Sequence, residues 1–278
     1  MTDREISGLA VRALLLEASL SPKPGLVTPY DNGSHKDMTF KTFVDSALAL
    51  APCFESCAAI GRAFASNPPE EALPLLKEAG LWGERLMYRA TGGVNTHKGA
   101  IYLLGFLCAA AGQAAPSPDG MTRTAASFVR GVVQRELASR GRVKSETLTA
   151  GERAYLAHGF TGARGEVEGG YPLTLSALSF LRGRSAFMPF NKALTDTFFF
   201  IAARNGDTAL WSRGGLEGVD TAQKLAEKIL LNGGISAAKG QETIHLAQKI
   251  FAEKNLSPGG SADILSSAIF LWGIETTD

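Results

Sequence analysis

Net charge is nearly absent from this chain of 278 residues. It carries 28 Lys and Arg against 27 Asp and Glu, for a formal net charge of +1. A protein that binds nucleic acid or a membrane surface through its overall field needs a strong excess of basic residues. We therefore expect no nucleic-acid partner and no membrane partner, and any anionic ligand must be held by a few local cations.

Long apolar runs and cysteines are also scarce. The longest strongly apolar stretch, residues 99–112, is shorter than the roughly 20 residues that cross a bilayer, and the N-terminal residues lack the layout of a secretory signal. The 3 cysteines include no C-x-x-C pair, which indicates reduced thiols and predicts a cytoplasmic protein. Cys53 and Cys57 lie about one helical turn apart. We interpret them as core residues rather than metal ligands because no third ligand lies nearby in the sequence.

Period-two alternation of β-branched residues is nearly absent, so a large sheet is not expected. Apolar residues instead recur at the spacing of one buried helical face, as in Ile6, Ala10, Ala13 and Leu14. We predict an all-α fold, a compact multi-helix domain that takes in residues 1–278 as one domain. The predicted helices cover 6–20, 40–66, 70–90, 97–111, 121–140, 172–182, 190–204, 219–230, 244–251 and 259–272.

Glycine is concentrated at breaks between these helices, at 24–25, 92–93, 162–170, 214–215 and 259–260. Charged and amide side chains stand in or beside the same breaks. Glycine lets a backbone approach a ligand closely, and loops of this composition often build sites. We therefore predict a site made of glycine-rich loops and helix N-termini.

The sharpest segment is 91–100, where Gly92 and Gly93 precede an N-cap at Asn95 or Thr96 and then an apolar helix. The free N–H groups and the positive dipole end of such a helix favour an anion, and Lys98 in its first turn adds a full positive charge. The spacing is not that of a P-loop. A capped helix with a solvated lysine is an equally good interpretation of this segment alone.

Four further segments carry candidate groups. Prolines stiffen the loop that holds Lys23, and His35, Lys36 and Asp37 follow it as a possible proton donor, phosphate contact and metal ligand. Residues 161–172 combine a phosphate-binding fork with Glu166 and Glu168, which point the same way if the stretch is extended. The last two are residues 205–215 and 257–263. Each segment alone could be an ordinary surface turn or helix end, but together they predict a magnesium-dependent enzyme for a phosphorylated ligand.

At these same segments the chain resembles the triphosphoribosyl-dephospho-coenzyme A synthase family. The matching stretches are 23–27, 32–38, 92–99, 162–166, 212–215 and 257–263, in order along nearly the whole chain. The resemblance implies transfer of the 5-triphosphoribosyl group of ATP to the 2′-hydroxyl of 3′-dephospho-CoA, with release of adenine. The product would be the prosthetic-group precursor of the citrate lyase acyl carrier subunit, passed on to an acyl carrier protein transferase.

Several alternatives stay open. The same reaction could serve malonate decarboxylase, although residues 160–166 look slightly more like the citrate lyase branch. A non-catalytic helical module that binds a nucleotide or the carrier subunit would bind ligand without releasing adenine. A magnesium-dependent hydrolase would use water as the acceptor and release free triphosphoribose.

The resemblance also implies roles for residues. Breaking a glycosidic bond develops oxocarbenium-like charge on the ribose and needs a base and a proton donor. We expect Glu166, with Asp37 as second candidate, to be the base, and His35 or His97 to protonate adenine. Asp207 and Asp263 are expected to hold Mg²⁺. The phosphate- and substrate-binding residues are expected to be Lys23, Lys36, Gly92, Gly93, Asn95, Thr96, Lys98, Arg164, Arg213 and Ser261.

Overall fold

The computed structural model describes residues 1–113, 117–138 and 148–277. Within them the chain forms fourteen α-helices and one short 3₁₀ turn, without a strand, so the predicted all-α class is confirmed. The helices are α1 Asp3–Ser19, α2 Phe40–Ala49, α3 Ala51–Ala63, α4 Pro69–Thr91, α5 Lys98–Gln113, α6 Pro118–Phe128, α7 Val132–Glu136, α8 Ala150–His158, α9 Gly162–Glu168, α10 Pro172–Ser185, α11 Phe190–Ala202, α12 Thr208–Leu231, α13 Ala238–Glu253 and α14 Gly259–Thr276.

Apolar helices α5 and α14 form the centre of the protein. Nearly every residue of α5 after its first turn is buried, and so is most of α14. They pack against each other and against α1, while α3 also packs along α5. Such all-round burial explains why these two helices show little amphipathic pattern in the sequence.

Two predicted helices are divided in the structure. The span 40–66 breaks at Leu50, because α3 begins with Pro52 in its first turn, where the missing N–H costs nothing. The span 121–140 breaks before Gly131, which adopts a left-handed φ of 76°. Residues 139–140 of that prediction lie outside the described part of the chain.

One predicted loop is helical. Residues 162–168 belong to a predicted glycine-rich break between helices, but they form α9. Its Val167 is fully buried and α9 packs against α5, α6 and α7. Tertiary burial therefore overrides the low helix propensity of its glycines.

Among the described residues, one stretch, Phe40–Ala63, is long and apolar enough to cross a membrane by composition. It consists of α2 and α3, and its Cys53, Phe54 and Ala58 are buried in the core. A core helix passes the same test of composition. All three cysteines are free and buried, as expected for core thiols.

Candidate active site

A cavity of about 670 Å³ lies where the ends of several helices meet. The first turns of α5, α8, α12 and α14 all border it, at Lys98, Ala150, Thr208 and Gly259. Unpaired N–H groups and the positive ends of the helix dipoles make such a place favourable for anions. The predicted assembly of helix N-termini is therefore present.

Four of the predicted cations border this cavity, and each already forms ion pairs or hydrogen bonds with other residues of the protein. Lys98 pairs with Glu84 at 2.9 Å, and Arg164 Nε donates to Glu136 at 2.9 Å. Arg213 is fixed by the carbonyl of Ser34, by Asn255 and by the His35 ring. The fourth cation is Lys23, described next. Lys36 is exposed and does not line the cavity.

Lys23 forms a buried ion pair that sequence reasoning did not anticipate. Its ammonium donates to both the carboxylate and the carbonyl of Glu17, each at 2.6 Å, and both side chains are almost inaccessible to solvent. Both residues line the cavity. Glu17 lies on the buried face of α1 among alanines and leucines. A carboxylate on the apolar face of a helix could have indicated a site residue from the sequence, because a buried carboxylate requires a partner.

His97 is buried with one ring nitrogen facing no partner. Its Nδ1 lies 2.8 Å from the Ser46 hydroxyl, which accepts a hydrogen bond from Thr96 Oγ1 at 2.7 Å. The Ser46 hydroxyl can donate its own proton to Nδ1, and in that tautomer the His97 proton resides on Nε2. Nε2 makes no hydrogen bond within the described residues, and His97 lines the cavity. In this tautomer the site has an unused N–H donor.

Burial, and then the charge of Lys23, lower the pKa of His97 to about 3. The imidazole is therefore neutral near pH 7, and the expected role of proton donor does not fit it. A neutral imidazole can still polarise a substrate through its N–H.

His35 borders the cavity but both of its ring nitrogens are engaged. Nε2 lies 2.8 Å from Ser257 Oγ, and Nδ1 accepts from Arg213 at 3.2 Å. Burial and the Arg213 charge lower its pKa, although Asp37, 3.7 Å away, opposes this. His35 therefore serves to hold Arg213 in place, and it too is a poor proton donor at neutral pH.

Asp263 and Asp37 are the predicted carboxylates that line the cavity. Asp263 packs so closely on α5 that a Cβ on Gly99 would lie 2.0 Å from its Oδ2. Burial, followed by the charges of Asp207 and Glu17, raises the pKa of Asp263 well above its usual range. Asp37 by contrast has a side chain that is 63% exposed.

Asp207 and Ser261 form a structural joint instead of lining the cavity. Asp207 caps α12, with Oδ1 accepting from the N–H groups of Ala209 and Leu210. Its Oδ2 accepts from both the N–H and the hydroxyl of Ser261. Each carboxylate oxygen of Asp207 therefore already accepts two hydrogen bonds from the protein. This does not support the expected metal-binding role of Asp207 or the substrate contact expected of Ser261.

Glu166 also lies outside the cavity. Its Oε1 accepts from the N–H and the hydroxyl of Thr174 at 2.7 and 2.9 Å, at the start of α10. Glu168 points elsewhere, as residues two apart on a helix must, and accepts from Gly131 and Val133 at the start of α7. Burial raises the pKa of Glu166. The geometry nevertheless does not support it as the base, because it does not line the cavity and its Oε1 is already bonded to Thr174.

Gly92 and Gly93 position the start of α5 and do not themselves face the cavity. Gly92 ends α4 in a left-handed conformation, and exposed Gly93 continues the turn with a φ of 95°. Neither lines the cavity, whereas Asn95 and Thr96 do. Asn95 Oδ1 accepts from the Lys98 N–H at 3.2 Å, as expected of a cap.

Comparison with known proteins identifies the family. The family model described as ATP:dephospho-CoA triphosphoribosyl transferase matches residues 3–278. A protein from Citrobacter koseri named "Probable 2-(5''-triphosphoribosyl)-3'-dephosphocoenzyme-A synthase" is 44% identical over 274 residues, which are 95% of this chain and 88% of that protein. The chain belongs to the ATP:dephospho-CoA triphosphoribosyl transferase family, so it is an enzyme whose substrates are ATP and dephospho-CoA.

A solved structure shows the same fold. The crystal structure from Archaeoglobus fulgidus, assigned as a triphosphoribosyl-dephospho-CoA synthase, has a TM-score of 0.56 and 17% identity. The match covers 84% of this chain and 99% of that one. At this identity the likeness supports the fold alone.

Proposed function

We propose that this enzyme joins C1 of the ATP ribose to the 2′-hydroxyl of 3′-dephospho-CoA and releases adenine with the triphosphate intact. One observation carries the proposal: a single cavity brings together Lys98, Arg164 and Arg213 for phosphates, Asp263 for proton transfer and an unused His97 N–H. These groups meet the needs of a transfer at a glycosidic carbon and require no attack on phosphorus.

Asp263 is the best-placed base for the acceptor hydroxyl. Its raised pKa favours uptake of the proton as the new O–C bond forms and the bond from C1 to adenine breaks. The His97 Nε2–H can donate to a ring nitrogen of adenine and stabilise the negative charge that develops there. Adenine leaves as its N9 anion and takes up one proton from solvent, while Asp263 returns the proton of the hydroxyl to solvent, so that protons balance over the reaction.

Magnesium fits this site only together with the substrate. Among the described residues no three His, Cys, Asp or Glu side chains are grouped to hold a metal, and Asp207 is fully used by the protein. Mg²⁺ is commonly held by one or two carboxylates plus substrate phosphates. Asp37 is the carboxylate that suits this role, because it is exposed at the cavity beside His35, which contacts Arg213. The ion would neutralise charge on the triphosphate.

The product is proposed to be the prosthetic-group precursor of the citrate lyase acyl carrier subunit, handed to an acyl carrier protein transferase in the cytoplasm. The support for this branch is the resemblance of residues 160–166. Because both branches would use the same product, the test compares cells with and without this enzyme by mass spectrometry of the two carrier subunits. We expect the citrate lyase carrier to lose its prosthetic group in cells that lack the enzyme. Loss from the malonate decarboxylase carrier alone would reverse the assignment.

Adenine release tests the reaction itself. The purified protein is given ATP, Mg²⁺ and dephospho-CoA, with each omitted in turn. We expect adenine only when ATP, Mg²⁺ and dephospho-CoA are all present, together with a product heavier than dephospho-CoA by one triphosphoribosyl group. Adenine without dephospho-CoA would indicate a hydrolase, and ligand binding without adenine would indicate a binding module.

A further inference from the structure

A second cavity, of about 220 Å³, lies beside the first. Lys98 and Arg164 border both cavities, so the two are neighbours across these side chains. The second cavity lies between α4 and α5 and is closed on one side by α7 and α9. Its other charged residues are Lys77, Glu84 and Glu136, and all three are engaged in ion pairs.

The walls of this second cavity are mainly apolar. Leu76 and Leu81 come from α4, and Ile101 and Phe106 come from α5. Gly80 stands between the two leucines, and a Cβ built on it would meet nothing within 4 Å. There is therefore room for a side chain at this position of the cavity wall.

One polar group in the second cavity lacks a partner. The Tyr102 hydroxyl is buried and makes no hydrogen bond within the described part of the chain. Desolvation raises the pKa of this phenol, so it is protonated and able to donate. Leaving a buried hydroxyl unpaired is costly, and a bound ligand with an amide group would provide the missing partner.

The chemistry of the acceptor suggests which part enters. The reaction takes place at the ribose of dephospho-CoA. This ribose, the adenine attached to it and the ribose of ATP must therefore all lie near Asp263 in the first cavity. The pantetheine arm is separated from that ribose by a pyrophosphate. It is long, uncharged and largely apolar, and it contains two amides.

We infer that the second cavity binds the pantetheine arm of dephospho-CoA, with Lys98 and Arg164 holding the pyrophosphate at the junction. The Tyr102 hydroxyl then donates to an amide carbonyl of the arm. This inference rests on the proposed function, because that function supplies the acceptor and the location of its reacting ribose. It accounts for a mainly apolar cavity in which the Tyr102 hydroxyl is unused by the described residues, next to a polar cavity with cations suited to phosphates.

Calorimetric measurement of ligand binding tests the inference with wild type, two variants and two probes. The variants are Gly80→Leu, which fills the cavity, and Gly183→Leu, a matched control on an exposed position of α10 where a Cβ also meets nothing. The probes are 4′-phosphopantetheine, which lacks the nucleoside, and ATP, which lacks the arm. We expect Gly80→Leu to weaken phosphopantetheine binding at least tenfold, with ATP affinity unchanged and the control like wild type.

Tyr102→Phe gives a variant that adds no bulk. It should weaken phosphopantetheine binding about fivefold, the loss that one hydrogen bond represents. Its melting temperature should equal or exceed that of wild type, because no hydrogen bond is lost in the free protein. If Gly80→Leu does not fold, phosphopantetheine binding by Tyr102→Phe therefore still tests the inference.

Several results would overturn the inference. Weaker ATP binding with unchanged phosphopantetheine binding would make this an adenine pocket. Unchanged binding of both probes in Gly80→Leu and Tyr102→Phe would show that the cavity is not used. Failure of the proposed function is distinguishable: wild type would then release no adenine, whatever the outcome for phosphopantetheine.

Discussion

At the scale of residues, the site depends on which polar atoms are already used. Glu166, Asp207 and Asp263 are all acidic, all close to glycines and all have raised pKa values because of burial. All three interact with N–H groups at helix N-termini, and for Asp263 that group belongs to Ala100 in α5. Only Asp263 also borders the cavity. The distinction is one of position in the fold and cannot be made from residue type.

Asp263→Asn is therefore expected to lower kcat by about 10²–10⁴, the usual contribution of a general base. Glu166→Gln is the matched substitution on a carboxylate outside the cavity and should change kcat by much less. Adenine release under saturating substrates measures both. Since a raised pKa means that Asp263 gains a proton at higher pH than an ordinary aspartate, wild-type kcat/KM should fall on the acid side at a correspondingly higher pH. A large loss in Glu166→Gln with little loss in Asp263→Asn would refute the assignment.

Ser46 is expected to act as a positioning residue for His97. Ser46→Ala removes the donor to Nδ1, so the imidazole can place its proton on either nitrogen and present an acceptor to the cavity. We expect kcat to fall about tenfold, within the cost of an unpaired buried group, while KM for ATP changes little. Nitrogen NMR of His97 should show loss of the Nε2–H tautomer, and Ser46→Thr should restore it. An unchanged tautomer in the alanine variant would contradict this role.

At the scale of elements, the ends of helices explain most of the polar residues that looked catalytic. Asp207 caps α12 and fastens it to Ser261 at the start of α14, so it fixes two of the helix ends that border the cavity. Asp207→Ala removes both functions and leaves the N–H groups of buried Leu210 and Ser261 unpaired.

We expect Asp207→Ala to lower the free energy of unfolding by about 2–4 kcal/mol, more than the typical loss of an exposed cap. Urea titration measures the change. Asp31→Ala is a comparison in which an exposed side chain that accepts from Gly33 is removed. Equal stabilities of the Asp207 and Asp31 variants would show that the joint contributes nothing.

The long helices follow from apolar periodicity, and the all-α class was predictable for that reason. Helix α9 was not, because its Gly162 and Gly165 lower local propensity and its stability comes from buried Val167 and from contacts with distant helices. The cavity-facing positions of Lys98, Arg164 and Arg213 were predictable from helix ends and glycines. Ser46 was not, because its partner His97 lies 51 residues away.

At the scale of the whole molecule, the cavity joins segments from the first helix to the last, from Glu17 to Ser266. With a net charge of +1 the overall field adds little, and the local cations must do the binding. A group held neutral in such a cavity also affects the stability of the whole fold through its protonation.

His97 makes the folded state sensitive to acid. Its pKa is about 3 in the folded protein and about 6.5 when unfolded, so between these values the unfolded chain binds the extra proton. Stability therefore falls as the pH drops below about 6.5, by about 1.4 kcal/mol for each pH unit. Urea titrations at pH 7 and pH 5 should differ by about 2 kcal/mol more in wild type than in His97→Asn. The same pH dependence in both proteins would show that His97 titrates normally.

The position of Asp263 on α14 has a consequence for the assembly of the site. The cavity needs Glu17 and Lys23 from the first part of the chain and Asp263 from α14. Because these groups are far apart in the sequence, the wall of the cavity is complete only when α14 has packed against α1. Under the proposed function, a chain without α14 has neither the carboxylate nor the wall that Asp263 supplies, and it should release no adenine from ATP.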